Sequence, residues 1–180
     1  MLDFMKIIKG RRSIRKFQAK EIKDKDLNTI LEAVRWAPSW SNTQCWEVIV
    51  VKDPRIKEEL QDSLTPRNPA RGAILEAPIV CALCGKLEHA GYKRGEPVTK
   101  FGDWFMFDVG IATQNLCLTA HTLNMGTVIV GALDQEKAGA VLGVPDGYTV
   151  AALVPLGYPA QEGKAPGRRE ISEFVHYDRF

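Results

Sequence analysis

One long apolar segment, residues 103–125, restricts the folds open to this chain of 180 residues. Its apolar side chains recur around nearly the whole circumference of a helix instead of along one stripe. A helix with that pattern is buried, either in the core of its own domain or against another subunit. The sequence therefore predicts a buried helix over residues 103–125, packed either in the domain core or against another subunit.

Shorter patterns predict the remaining elements. Apolar residues at helical spacing predict a helix from Asp24 to Ala37, which Pro38 ends because the residue before a proline avoids helical geometry. Further helices are predicted over residues 2–10, 53–61 and 134–142, and strands over residues 46–51, 78–84, 127–130, 148–156 and, weakly, 173–177. Residues 63–76 receive no prediction, and residues 85–102 are typical of a long surface loop or lid. Strands interleaved with helices indicate an α+β or mixed α/β class.

The composition is that of an ordinary globular protein, with 45% hydrophobic and 26% charged residues. At this length a single domain over residues 1–180 is expected. The formal net charge of +2 gives no overall attraction to nucleic acid. No apolar run is long enough to span a membrane, and residues 1–8 lack the pattern of a secretory signal. We therefore expect a cytoplasmic protein with reduced thiols and no membrane partner.

Cys81 and Cys84 form a C-x-x-C pair inside a predicted buried strand. Residues three apart on a strand point to opposite faces, so a redox pair or zinc site there would require a turn. Buried structural thiols are the favoured interpretation, and a functional pair is the alternative.

The sequence lacks the motifs of several common active sites. It has no G-x-x-x-x-G-K-[ST] phosphate loop, no G-x-G-x-x-G fingerprint, no H-E-x-x-H zinc motif and no G-x-S-x-G nucleophile turn. Its three histidines are far apart in sequence and have no partners at metal-ligand spacing. These observations argue against P-loop, Rossmann, zinc-protease and α/β-hydrolase chemistry.

Two basic clusters, residues 11–16 and 164–169, lie near opposite ends of the chain in segments expected to be irregular. Arginine side chains, a serine hydroxyl and free loop amides together form a suitable receptor for a phosphate monoester. From charge alone, two solvated basic patches are the favoured interpretation, and a phosphate site is the alternative. Nucleic-acid binding is disfavoured, because no aromatic stacking motif accompanies the clusters.

A polar loop, residues 37–46, joins a predicted helix to a predicted strand and contains hydroxyl, amide and tryptophan side chains. Asn42 and Gln44 offer both hydrogen-bond donors and acceptors, which suits the edge of a heterocycle. Trp46 is expected in the core instead.

An ordered set of motifs resembles the FMN-dependent nitroreductase family over nearly the whole chain. The set comprises R-R-S-I-R-K-F at 11–17, A-P-S-x-x-N-x-Q-x-W at 37–46, the helix and turn at 108–127, L-G-V-P at 142–145, P-L-G-Y-P at 155–159 and R-R-x-I-x-E-x-V at 168–175. The resemblance implies an α+β, three-layer fold with a central, mostly antiparallel sheet flanked by helices. It also implies an obligate homodimer with interfacial flavins, in which residues 157–180 wrap the partner subunit and exchange a strand with it.

The resemblance further implies the site residues. The phosphate and ribityl end of FMN would be held by residues of both basic clusters: Arg11, Arg12, Ser13, Arg168 and Arg169. The polar loop of the other subunit would line the ring with Pro38, Ser39, Trp40, Ser41 and Asn42. Gln44 would support that loop. Arg15 would approach the N1–C2 carbonyl edge of the ring, and Gly131, after Val130, would direct its backbone amide toward flavin N5.

The implied activity is hydride transfer from NADH or NADPH to FMN and then, by a ping-pong mechanism, to nitro compounds, quinones or similar small electron-poor acceptors. Two positions depart from the family pattern: Cys45 stands where a proline is usual, and Val130 stands where some members have glutamate. Two alternatives remain open. One is a specialised enzyme of the same fold, performing reductive dehalogenation or flavin-consuming chemistry; the other is a non-enzymatic flavin-binding module.

Overall fold

The computed structural model describes residues 4–180, in which helices lie on both faces of a four-stranded sheet. The helices are α1 (Phe4–Gly10), α2 (Asp24–Arg35), α3 (Pro54–Gln61), α4 (Arg71–Glu76), α5 (Phe105–Thr122) and α6 (Gln135–Leu142). The strands are β1 (Trp46–Val51), β2 (Ile79–Lys86), β3 (Tyr92–Lys93), β4 (Glu96–Pro97), β5 (Gly126–Thr127) and β6 (Tyr148–Gly157).

The central sheet has the strand order β1-β2-β6-β5, and every neighbouring pair is antiparallel. Side chains of β2 alternate between two separate hydrophobic cores, because successive residues of a strand point to opposite faces. α2 and α5 cover one face of the sheet, and α3, α4 and α6 cover the other. This arrangement confirms the predicted three-layer α+β fold with an antiparallel sheet.

The long apolar helix α5 packs one side into the core and leaves another side uncovered. Val109, Ala112 and Leu116 are buried, whereas Met106 is 58% and Phe107 61% exposed. The approach of α5 to β2 is so close that a Cβ at position 85 would overlap the Phe105 ring, so glycine is required at Gly85. Within the described part of the chain, α5 is therefore central but not enclosed.

Cys81 and Cys84 lie on opposite faces of β2, one in each core. Burial raises the pKa of Cys81 to about 12 and that of Cys84 to about 11. Thiols that stay protonated are poor nucleophiles, which favours the interpretation of these residues as structural.

Two helix predictions are confirmed together with their caps. The Asp53 carboxylate accepts a hydrogen bond from the Arg55 N–H at 2.8 Å, and α3 begins there. Gly143, with φ 64°, ends α6 in the left-handed conformation. α2 is two residues shorter than predicted and ends at Arg35; α5 is shorter at both ends. The helix predicted over residues 2–10 is observed from Phe4, and residues 2 and 3 lie outside the described residues.

Several strand and loop predictions are corrected. The strand predicted over 173–177 does not form within the single chain: Ile171–Glu173 form a 3-10 turn, and the chain beyond it is mostly exposed. A strand needs a neighbour for its backbone hydrogen bonds, and the described residues provide none there. The strand predicted over 127–130 is reduced to β5, after which Val130 forms an isolated bridge with Leu153. Residues 85–102 contain the β3–β4 hairpin, and the unassigned residues 63–76 contain α4.

Within residues 4–180, no helix combines the length and apolar character needed to cross a bilayer.

Candidate active site

The two basic clusters line one cleft of about 510 Å³. Arg11, Arg12 and Arg15 contribute from the first cluster and Arg168 from the second. A neighbouring cleft of about 950 Å³ shares Arg11, Arg12 and Arg168 and adds Arg169. The structure therefore brings the two ends of the chain together around one basic depression.

Backbone contacts hold the ends in place. The N–H of Ala160 donates to the C=O of Lys16 at 2.9 Å, which fixes the start of the C-terminal segment beside the first cluster. Gly163 packs so closely on Arg12 that a Cβ at position 163 would overlap the Arg12 side chain. The approach of the tail to Arg12 therefore depends on glycine at this position.

The arginines of the clefts form no ion pair with a carboxylate within residues 4–180, although Glu162 lines the cleft of about 510 Å³. Arg12 instead donates to the C=O groups of Lys9 and Arg11 at 2.6 and 2.7 Å. Carbonyl oxygens satisfy N–H groups but leave the positive charge available. A phosphate would find both charge and directed donors there.

Arg15 has a buried donor without an acceptor. Its Nε atom is inaccessible to solvent and has no hydrogen-bond partner within the described chain. The next side chain, Lys16, is committed elsewhere through an ion pair of 2.6 Å with Glu76. Leaving a buried N–H unsatisfied costs about 1–3 kcal/mol, so an acceptor supplied by a ligand is favoured at this position. The N1–C2 carbonyl edge of a flavin offers such acceptors, so this residue fits the group.

The polar loop adopts a strained conformation. Ser41, Asn42 and Gln44 have φ angles of 45°, 56° and 48°, in the left-handed region that non-glycine residues seldom adopt. The N–H of Gln44 donates to the Ser39 hydroxyl oxygen at 2.9 Å and helps to hold this shape. The three left-handed side chains are exposed. Backbone strain of this kind is concentrated at functional sites.

A single chain does not bring this loop to the arginines. None of residues 38–44 lines either arginine cleft. Gly131 is also absent from both clefts. Gly131 is exposed, with open space where a Cβ would lie, and it follows Val130, whose backbone is paired with Leu153 in both directions at 2.9 and 3.0 Å.

An aromatic cluster joins the polar loop to the segment 85–102. The ring centroids of Trp40 and Trp104 are 5.3 Å apart. Trp104 in turn contacts Phe101 and Phe107 at 5.9 and 5.4 Å. Phe101 and Phe107 remain largely exposed. The cluster therefore offers apolar surface that can exclude water from a ligand beside the loop.

Two residues near the site were not singled out from the sequence. Asp108 is only 1% exposed, and its carboxylate accepts the Trp40 N–H at 3.0 Å. An acidic residue in the first turn of an otherwise apolar helix is the signal that could have revealed it. His121 lines a third cleft of about 410 Å³ with Arg11 and Arg12. Burial and those two positive charges lower the pKa of His121 below its usual value, which favours the neutral imidazole.

Comparison with known proteins gives a consistent result. A model of the nitroreductase family matches residues 8–158. A protein from Thermus thermophilus named NADH dehydrogenase is 30% identical, with 97% of this chain and 96% of that protein covered.

Solved structures agree with the sequence matches. A nitroreductase family protein from Clostridium novyi NT is similar with a TM-score of 0.78 at 29% identity, covering 88% of this chain and 86% of that one. An FMN-dependent nitroreductase from Clostridium difficile R20291 is similar with a TM-score of 0.81 at 25% identity, covering 98% and 99% of the two chains.

Proposed function

This chain belongs to the nitroreductase family, and from that premise we propose how its residues serve the reaction. The protein is an FMN-dependent NAD(P)H oxidoreductase. The proposal assigns the FMN phosphate to the shared arginine cleft and the ring to the space between Arg15, Gly131 and the polar loop of a second subunit. Nitro compounds, quinones and similar small electron-poor molecules are the proposed acceptors.

The arginines that both chain ends bring together are the observation that carries this proposal. Arg11, Arg12 and Arg168 share two clefts and pair with no carboxylate among the described residues. Ser13 lines the cleft of about 510 Å³, and a serine hydroxyl can donate to a phosphate oxygen. A phosphate bound in this cleft would receive several charge-assisted hydrogen bonds, which are stronger than hydrogen bonds between neutral groups.

When bound, FMN supplies the redox chemistry, accepting a hydride from the nicotinamide and passing it to the acceptor. The residues of this chain would bind and orient the flavin and stabilise its reduced state. Arg15 places a positive charge beside the pyrimidine edge, where negative charge collects on reduction, and so favours the reduced state by preorganised electrostatics. The Gly131 amide directs a donor toward the ring. Trp40 and its aromatic neighbours exclude water from the space that nicotinamide and acceptor use in turn.

A homodimer completes the proposed site. Residues 38–44 lie outside the arginine clefts of their own chain, so a second subunit must supply this loop if ring and phosphate are bound together. Exposed apolar side chains support this arrangement on three elements: Phe4 on α1, Met106 and Phe107 on α5, and Ile171 and Phe174 on the tail. Burial of these large apolar side chains against a second subunit would remove them from water. Residues 157–180 are proposed to wrap the partner.

The proposed location is the cytoplasm, where thiols stay reduced. No role for nucleic acid or a membrane enters the proposal.

Purified protein provides the test. We expect a yellow protein whose flavin absorbance is bleached by NADH or NADPH without oxygen and restored by a nitroarene or a quinone. Bound FMN that NAD(P)H does not reduce would identify a flavin-binding module instead. Reduction without reoxidation by nitroarenes or quinones would favour the specialised branch of the fold. Protein that cannot be reconstituted with FMN would overturn the proposal.

A further inference from the structure

Asp108 is a buried carboxylate that the activity does not by itself explain. It lies in the first turn of α5, is 1% exposed and forms no ion pair with the described residues. Desolvating a carboxylate is costly unless hydrogen bonds and local dipoles compensate. The positive end of the α5 dipole supplies one compensation. The other comes from the polar loop.

The Asp108 carboxylate contacts both ends of the strained part of that loop. One oxygen, Oδ2, accepts the Trp40 N–H at 3.0 Å and lies 3.5 Å from the Cys45 sulfur. Burial and the charge of Asp108 raise the pKa of Cys45 to about 11, so its thiol stays protonated and donates to the same oxygen. One buried atom thus holds residues 40 and 45 together.

All three left-handed residues of the loop lie between these two contacts. Ser41, Asn42 and Gln44 point outward, and their conformation is unfavourable by itself. Backbone hydrogen bonds inside the loop, from Asn42 to Ser39 and from Thr43 to Trp40, do not tie it to the body of the protein. The Asp108 contacts do, because α5 is a central element of the core. They add to two other connections: the Lys86 N–H donates to the Cys45 C=O at 2.8 Å, and the Trp40 ring packs against Trp104.

We propose that Asp108 is a positioning residue for the flavin site: its carboxylate fixes residues 39–45 in the left-handed shape that meets the flavin of the partner subunit. The inference rests on the proposed function, since it assumes that this loop lines FMN. Asp108 touches neither cofactor nor substrate and acts through the Trp40 amide and the Cys45 thiol. Cys45, which stands where a proline is usual in the family, thus serves as the second hydrogen-bond donor to Asp108.

The test compares Asp108→Ala and Asp108→Asn with Thr113→Ala. Thr113 is a matched control, because it is a buried polar residue of the same helix, and its hydroxyl donates to the Val109 carbonyl of that helix at 2.7 Å. Without FMN, hydrogen exchange of the Trp40–Gln44 amides should accelerate about tenfold or more in Asp108→Ala and remain unchanged in Thr113→Ala. Asp108→Asn keeps one acceptor oxygen and should restore slow exchange of Trp40 in large part.

With FMN, Asp108→Ala should raise the Kd about tenfold or more and alter the visible circular dichroism of the bound flavin, while Thr113→Ala binds as the wild type does. Equal exchange rates and equal FMN affinity in Asp108→Ala and Thr113→Ala would overturn the inference. Fast loop exchange with unchanged FMN affinity would also overturn it, since the loop would then have been loosened without effect on flavin binding. A wild-type protein that binds no FMN would instead refute the proposed function, and with it this inference, whatever the exchange rates show.

Discussion

Gly163 lies directly against the side chain of Arg12, so the C-terminal segment reaches the N-terminal cluster only because position 163 has no Cβ. We expect Gly163→Val to push the tail away from Arg12 and to raise the Kd for FMN about tenfold, the value of one lost charged hydrogen bond. Fluorescence titration of FMN measures the effect. Gly167→Val is the matched control, because open space surrounds a Cβ at that position. An equal loss of affinity in both variants would show that the Arg12 contact is not the cause.

Removing a cleft arginine should weaken FMN binding strongly. Arg12→Ala and Arg168→Ala each delete a cation that forms no ion pair within the described residues. Hydrogen bonds to charged groups contribute about 1.5–3 kcal/mol, so each Kd should rise about tenfold to hundredfold. The loss should shrink when riboflavin, which has no phosphate, replaces FMN. Arg55→Ala, an exposed residue outside the clefts, serves as the control and should bind FMN as the wild type does.

Replacing Arg15 should change the potential of the bound flavin and not only its affinity. Arg15→Ala removes the positive charge proposed to stand beside the pyrimidine edge, so the midpoint potential should fall by about 30–60 mV, which corresponds to about 1.4–2.8 kcal/mol for two electrons. Anaerobic titration against a reference dye measures it. Arg15→Lys keeps the charge, so the midpoint potential of its bound flavin should lie between those of the wild type and Arg15→Ala. An unchanged potential in Arg15→Ala would remove Arg15 from this role.

Mixed dimers test whether loop and arginines come from different subunits. One chain carries Arg12→Ala with Arg168→Ala; the other carries Ser41→Trp, which places a bulky ring on the exposed loop. If the site is shared, one site of the mixed dimer has both defects and the other has none, so one FMN per dimer should bind normally. Each parental homodimer should bind FMN poorly. A mixed dimer as defective as its parents would place loop and arginines in the same subunit.

The buried thiols predict a loss of stability at alkaline pH. Burial raises the pKa of Cys84 to about 11 from the ordinary value of 9.0. Between those pH values the folded chain keeps a proton that the unfolded chain has released, so the free energy of unfolding falls as the pH rises. Urea unfolding at a series of pH values should show a shallower decline in Cys84→Ala than in the wild type. An equal decline of the free energy of unfolding with pH in both proteins would contradict a raised pKa at Cys84.

Local patterns predicted those features of the fold that depend on near neighbours in the chain. The caps at Asp53 and Gly143 and the alternation of β2 follow from side chains within a few residues of one another. The strand predicted for the tail does not form in the single chain, because alternation alone cannot supply a neighbouring strand. The short β5 was overestimated for the same reason: Val130 is apolar like the residues before it, but it pairs with Leu153 as a single bridge.

The candidate site was predictable to a different degree. The approach of Arg12 to Arg168 was expected only from the family resemblance, since charge alone favoured two solvated patches. Asp108 was missed because an isolated carboxylate in an apolar helix has no partner in the local sequence. Its partner, Trp40, is adjacent only after α5 has packed against the end of α2.

The exposed tail has a consequence for how the protein matures. In the proposed homodimer, a newly synthesised copy carries a loop that contacts the partner's cofactor and a tail that contacts the partner's surface, and neither has its binding site in a single chain. The rate of FMN loading should therefore be second order in the concentration of newly synthesised monomer. At low expression the cell would accumulate monomers without FMN. Raising the concentration of the chain would increase the rate of FMN loading more than proportionally.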